Sequence, residues 1–204
     1  MGVPTTTLAI DEEKNWLEKV LSSLTLRREE GEVRGEDGAS GSVEEMIDEA
    51  ARRAFQISTA LGLIPGPLGM ATVLPEVAAL TRLQINLIRK IASHHGKEHK
   101  VNKELVLLIL ANVTGVTAGE MLLRRAGTSL VLRSVNTRIM RAVARKVGAR
   151  VLDMAVERAI GRWIPVLTAP LFGYFSRSLT KKIGREAQRL FLQGIEIETA
   201  GTPS

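Results

Sequence analysis

Arg53-Ala-Phe-Gln-Ile-Ser-Thr-Ala-Leu-Gly-Leu-Ile-Pro-Gly-Pro-Leu-Gly-Met-Ala-Thr-Val-Leu-Pro-Glu76 holds 22 residues without a charge between its two charged ends. A membrane-crossing helix needs about 20 continuous apolar residues, so length alone would suffice. The break Ile64-Pro-Gly-Pro-Leu-Gly69 forbids one straight helix, because each proline lacks an N–H and restricts the residue before it. Two helices folded into a hairpin are therefore expected, with Pro65, Gly66, Pro67 and Gly69 as the structural turn. Such a hairpin is either the core of a helical domain or a wedge into one side of a membrane. Leu61, Leu63, Ile64, Leu68 and Met70 are its candidate lipid contacts. Exposure of Leu61, Leu63, Leu68 and Met70 would mean a membrane or partner surface, and burial would mean core.

Upstream, Ser42 followed by Glu45 has the spacing of a capping box and predicts a helix running to about Leu63. Residues 27–42 are charged and glycine-rich, the composition of a flexible linker. Before it, Trp16, Leu17, Val20, Leu21 and Leu24 fall at helical spacing and predict a first helix over residues 9–26. Downstream, a third helix is expected over 69–94, then a polar loop. Leu105–Ala118 is apolar on every side, so it is buried in protein or in lipid. Its Ala111, Gly115 and Gly119 recur every four residues, a spacing that lets a second helix approach closely. Residues 121–162 form a basic stretch in which Arg138, Arg141 and Arg145 share one face, opposite Ile139, Val143 and Val147. An uncharged segment over 163–176 precedes a last basic helix that ends near Gln193. No alternating runs bounded by hairpin turns stand out. The predicted fold is all-α: a compact multi-helix bundle built around the broken hairpin, with a flexible acidic N-terminal arm. Its parts are an acidic helix and linker (1–42), a helical domain (43–193) and a disordered tail (194–204).

The 204 residues are 45% hydrophobic and only 3% aromatic, so Leu, Val, Ile and Ala must fill the interior. Cysteine is absent, which excludes disulfides, thiolate metal sites and thiol nucleophiles. No secretory leader is evident, so export is not expected. The net charge of +6 hides an asymmetry: residues 1–49 carry 13 acids and 5 bases, and the remainder 9 acids and 23 bases. Residues 1–49 are thus −8 and the remainder +14, which points the body toward something anionic.

Several residues resemble a known family. Ala60-Leu-Gly-Leu-Ile-Pro-Gly-Pro-Leu-Gly69, Leu74-Pro-Glu76 and Gln84-Ile-Asn-Leu-Ile-Arg-Lys-Ile-Ala92 are similar to the EcsC family and to the related helical domain of YcjF-like bacterial inner-membrane proteins. His95 stands where the family usually has tyrosine. Trp163-Ile-Pro165, Gly173, Thr180-Lys-Lys-Ile-Gly184 and Ala187 match the family's closing pattern. The resemblance covers about residues 44–192 and leaves the N-terminal arm outside. It implies a bacterial, helical, membrane-associated protein, and it carries over no catalytic residue.

The remaining candidates weigh toward structure. His94, His95 and His99 cluster, but no third or fourth ligand completes a zinc shell, so no metal is expected. Asp153 and Glu157 read as surface ion-pair partners of neighbouring arginines, since an acid/base pair would need burial. Glu76, the first charge after the hairpin, reads as pairing with a buried arginine or orienting the turn. The Gly/Pro turn lacks the Gly-Lys-Ser/Thr of a phosphate loop. Nucleic acid is disfavoured, because few aromatics are available for stacking. The expectation is a non-enzymatic protein without cofactor, on the cytoplasmic face of the bacterial inner membrane. It would bind anionic lipid through Arg138, Arg141, Arg145, Lys181 and Lys182 and recruit or support a protein partner, a transporter among the candidates. Self-association is left open. The alternative is a soluble helical scaffold whose basic face binds an acidic protein.

Overall fold

The computed structural model describes residues 16–17, 20–21, 41–64, 71–117, 122–126, 129–132, 135–159 and 165–197. They build five helices: α1 (Val43–Gly62), α2 (Val73–His94), α3 (Lys103–Thr114), α4 (Thr137–Ala159) and α5 (Pro165–Leu192). The all-α bundle is as expected. The turn residues Pro65, Gly66, Pro67 and Gly69 lie outside the described residues, as do Leu68, Met70 and Gly119.

The capping box forms as the sequence predicts. The Ser42 hydroxyl accepts from the Glu45 N–H at 3.2 Å, and the Glu45 carboxylate accepts from the Ser42 N–H at 3.0 Å. Two N–H groups that the first turn would leave orphaned are thereby satisfied. From there α1 runs antiparallel to α5, its most extensive partner. Cross-contacts follow one register: Gln188 donates to Glu44, Lys181 pairs with Asp48 at 2.5 Å, Ser58 bonds Ser176, and Gly62 abuts Ala169 and Phe172. The hairpin helices α1 and α2 do pack together, but the seam that dominates joins the two halves of the sequence.

Glycine makes that seam close. A Cβ on Gly173 would overlap the Thr59 hydroxyl and come within 2.7 Å of the Phe55 ring. On Gly184 it would lie 2.6 Å from Ile47. Both helices can approach only because these positions carry no side chain.

Leu105 through Ala111 are buried without exception, which resolves the all-apolar segment as core of the protein. Among the described residues no helix is long and apolar enough to cross a membrane. The segment also stops earlier than expected. Asn102 caps the start of α3, and Gly115 ends it at φ 74°, in the left-handed conformation that glycine adopts without a Cβ penalty. The N–H groups of Gly115 and Val116 return to Asn112 and Ala111, closing a Schellman turn. Gly115 is exposed, and a Cβ there would meet nothing, so it does not serve helix packing. Ala111 is fully buried.

Two further departures concern strands. Leu123–Ala126 (β1) pairs antiparallel with Ser129–Leu132 (β2), inside the basic stretch, where no hairpin was expected. The missed signal is the two-residue link Gly127-Thr128, a type that tight hairpins favour. Glu196–Ile197 (β3), in the tail expected to be structureless, adds parallel to β2. Lys97 and Lys100 fix this end of the chain by donating to the carbonyls of Phe191 and Ile195, the latter at 2.9 Å. A cation on the last carbonyls of a helix is favoured by the helix dipole.

Finally, α5 is one unbroken helix from Pro165, where the sequence suggested a separate uncharged segment. Proline is suited to that first helical position, since its missing N–H would have no partner there.

Candidate functional site

Two features stand out from the bundle, and both sit at its hairpin end. The first is a recess between α2, α4 and α5. From α2 it takes Glu76, Val77, Leu80, Thr81 and Gln84, residues that recur on one face of the helix. Val151, Met154 and Ala155 come from α4, while Phe172, Phe175, Ser176 and Leu179 come from α5. Its cavity volume is about 50 Å³, within a wider space of about 540 Å³ that includes open solvent.

Four of its lining residues are polar. Glu76, Thr81, Gln84 and Ser176 are all buried. The Ser176 hydroxyl shares a 2.6 Å hydrogen bond with Ser58, and the Gln84 amide donates to Thr180 at 3.3 Å. Thr180 and Ser58 are themselves fully buried, so a polar column runs through the α1–α2–α5 core beside the recess. A buried polar group is costly unless bonded, and this column satisfies its members in pairs.

The second feature is an exposed apolar rim. The end of α1 meets α5 at Ala169 and Phe172. Leu63, at the end of α1, is 53% exposed, and on the side of α5 turned away from α1 Leu171 is 65% and Tyr174 68% exposed. Leu171, Tyr174, Lys182 and Arg185 share an arc of about 80° on the outward side of α5, counting 100° per residue. Along that side the helix grades from apolar at its start to basic beyond Arg177, and Arg177, Lys182 and Arg185 are exposed. Leu63 is therefore a surface residue, whereas Leu61 and Ile64 are partly covered.

The structure separates the remaining predicted bases. Arg138, Arg141 and Arg145 are exposed on α4, with Val143 and Val147 buried opposite, as the periodicity predicts. They occupy the start of α4, whereas its Met154 is level with the recess, nine residues or about 13 Å further on. Lys181 is engaged by Asp48, and this contact, followed by the charge of Lys181, holds the Asp48 carboxyl below its ordinary range. At the other end Arg189 bonds Glu186 and lowers its pKa, with Asn112 donating as well. Asp153 and Glu157 are exposed on α4. No group of three His, Asp or Glu residues suited to a metal occurs among the described residues.

His95 does its work in packing. Its ring is tilted against Phe191, with centroids 6.4 Å apart, and meets His94 edge-on. Its Nε2 is buried without a hydrogen-bond partner among the described residues. Burial, then the charges of His94 and Lys97, hold its pKa below the ordinary value of about 6.5. In that window the unfolded chain takes up a proton that the folded one resists, so stability falls as pH drops through about 6.5. His95→Phe is expected to reduce the loss of melting temperature between about pH 7.5 and 5.5, read by calorimetry. Asp48 and Glu186 titrate below that window and leave the comparison clean.

Fold and site together define a helical bundle that combines a small recess of mixed polar and apolar lining with exposed apolar side chains. The chain belongs to the EcsC family: the model of the EcsC protein family matches residues 6–193. The match begins well before the residues that carried the resemblance in sequence, and it takes in the N-terminal segment. No curated protein and no solved structure matches the chain.

Within the bundle the family-like residues meet one another. Gln84 bonds Thr180, Gly184 lies against Leu87 and Ile47, and Ala187 is fully buried. Sequence reasoning had singled out Glu76 and Gln84, but it missed Thr81 and Ser176. A lone hydroxyl on a helix carries no distinguishing signal in a sequence.

Proposed function

We propose that this protein is a non-enzymatic, peripheral membrane-binding module. It would dock its hairpin end on an anionic bilayer, which we take to be the cytoplasmic face of a bacterial inner membrane, and support a protein partner there. The observation that carries this reading is the exposure of Leu171 and Tyr174 on the outward side of α5, with Leu63 also exposed at the end of α1. Exposed apolar side chains clustered on one surface mark interaction sites. A tyrosine beside leucines suits the level where acyl chains meet head groups.

The charge gradient along α5 supports the same orientation. Arg177, Lys182 and Arg185 follow Tyr174 by about 4, 12 and 16 Å at 1.5 Å per residue. Arg177 and Lys182 would then lie at head-group depth when the rim enters the acyl boundary. Each base near such a surface contributes about 1 kcal/mol. Three apolar side chains that gain partial burial contribute on the order of 3 kcal/mol more. The sum gives reversible, salt-sensitive attachment, in the range of single-lipid anchors.

The test is flotation with phosphatidylglycerol vesicles. The double variant Leu171→Asp/Tyr174→Asp should lose vesicle binding while keeping its fold, since both residues are exposed. Unchanged flotation of that variant would overturn the reading. A wild type that never floats would favour the alternative, a scaffold whose α4 arginines bind an acidic protein.

A further inference from the structure

The recess between α2, α4 and α5 holds two polar atoms that the fold leaves unused. Thr81 and Gln84 lie one turn apart on α2, and both line the recess. The Gln84 amide nitrogen donates to Thr180 at 3.3 Å, which leaves its carbonyl oxygen without a partner among the described residues. The Thr81 hydroxyl makes no hydrogen bond among the described residues either. Both residues are only 4% exposed. Neither oxygen is sealed off, however. Among the described residues, the unpartnered side-chain atoms closed to solvent are Trp16 Nε1, Thr59 Oγ1 and His95 Nε2. The free oxygens of Thr81 and Gln84 therefore stay within reach of a molecule in the recess that both residues line.

We propose that the recess binds the terminal hydroxyl of an aliphatic chain. A hydroxyl has one hydrogen to donate and lone pairs with which to accept. The Gln84 oxygen can only accept and the Thr81 hydroxyl can donate, so one ligand hydroxyl answers both. A carboxylate has no hydrogen for the Gln84 oxygen. An ammonium needs three acceptors and an opposite charge. Glu76, Phe172 and Phe175 are each engaged within the protein, and recognition draws on none of them. The stem is set by the apolar walls, with Val77, Leu80, Val151, Met154 and Leu179. A cavity volume of 50 Å³ has room for about four water-sized groups. A hydroxyl and three carbons fill it, and a longer chain continues into the open part of the recess. Water alone would satisfy the two oxygens but would leave the walls wet. An unbranched primary alcohol satisfies the oxygens and dries the walls.

The probe is n-butanol, titrated calorimetrically into the full chain at neutral pH. Methyl propyl ether is its matched control, an isomer that keeps the oxygen and loses the donor hydrogen; n-butylamine and sodium butyrate test the charged heads. Saturable binding of butanol is expected, with each of the other three weaker by about tenfold or more. Thr81→Val preserves shape and removes the hydroxyl, and it should weaken butanol by about tenfold. Thr81→Ser keeps the hydroxyl and should bind nearly as the wild type does. The absence of saturable butanol binding would mean that water alone fills the recess, and would overturn the proposal. So would an ether, amine or butyrate that binds as tightly as butanol, or an affinity unchanged in Thr81→Val. An equal loss in Thr81→Ser and Thr81→Val would trace the effect to packing and overturn it too. Vesicle flotation enters none of these readouts, so this proposal and the docking reading fail separately.

Discussion

Replacing Gly173 by valine lowers the unfolding free energy by about 3 kcal/mol or more, against the 1–3 kcal/mol typical of overpacked cores. In an exposed helix interior, removing a glycine would instead stabilise by roughly 0.5–1 kcal/mol. The sign reverses here because the space is taken. The first added carbon already overlaps the Thr59 hydroxyl and lies 2.7 and 2.8 Å from two atoms of the Phe55 ring. Valine adds two more carbons and a stiff χ1, so α1 and α5 must separate along the seam that carries most of their contact. The obstacle is also local, and it can be relieved. Thr59→Ala removes a hydroxyl that is buried with no hydrogen-bond partner among the described residues, at little cost on its own. Combined with Phe55→Leu, it should restore part of the loss in Gly173→Ala. Urea denaturation of the single and combined variants measures both effects. A Gly173→Val protein as stable as wild type would refute the account of the seam.

Leu17→Ala should be nearly as damaging, at about 2–5 kcal/mol. Read from composition, residues 1–42 form an acidic arm free to recruit or to mask. In the structure Trp16, Leu17, Val20 and Leu21 are helical and belong to the main core, with Leu17 only 1% exposed. Both Trp16 and Leu17 lie against Gly148 on α4, close enough that a Cβ there would come within 3.3 Å of Leu17. The family match starting at residue 6 agrees with a segment that belongs to the domain. Thermal melting of Leu17→Ala checks the magnitude. A melting temperature equal to wild type would mean that the segment contributes nothing to the core. Deleting residues 1–42 to look for unmasked lipid binding would remove core as well as charge. Neutralising the acids of the arm one group at a time is the cleaner experiment.

Much of the architecture was legible from local chemistry. Ser42 and Glu45 announce a helix start because a capping box depends on four consecutive residues. Val143 and Val147 opposite Arg138, Arg141 and Arg145 announce the inner face of α4 because helical periodicity is a short-range property. What the sequence conceals depends on residues far apart along the chain. The apolar stretch after Leu105 looks the same whether protein or lipid surrounds it, and only its neighbours decide. Gly115 belongs to a regular small-residue pattern, yet the backbone uses it to end a helix. The β1–β2 hairpin is obscured by Arg124 and Arg125, which merge the region with the basic stretch that follows. The recess draws on three helices, with Thr81 and Ser176 separated by 95 positions. Neither residue is conspicuous alone.

The register of α1 on α5 also sets an order of events during synthesis. Ser58 and Ser176 stand 118 residues apart, so the first long helix has no main partner until nearly the whole chain has emerged. At about 5–20 residues per second, that interval lasts roughly 6 to 24 seconds. Throughout it the side of α1 bearing Ile47, Ala51, Ala54 and Ser58 is left uncovered by α5. Refolding from denaturant must likewise close this long loop before the seam can form, and so should be slow for a helical protein. The final helix works as a latch, and the bundle locks only when it arrives.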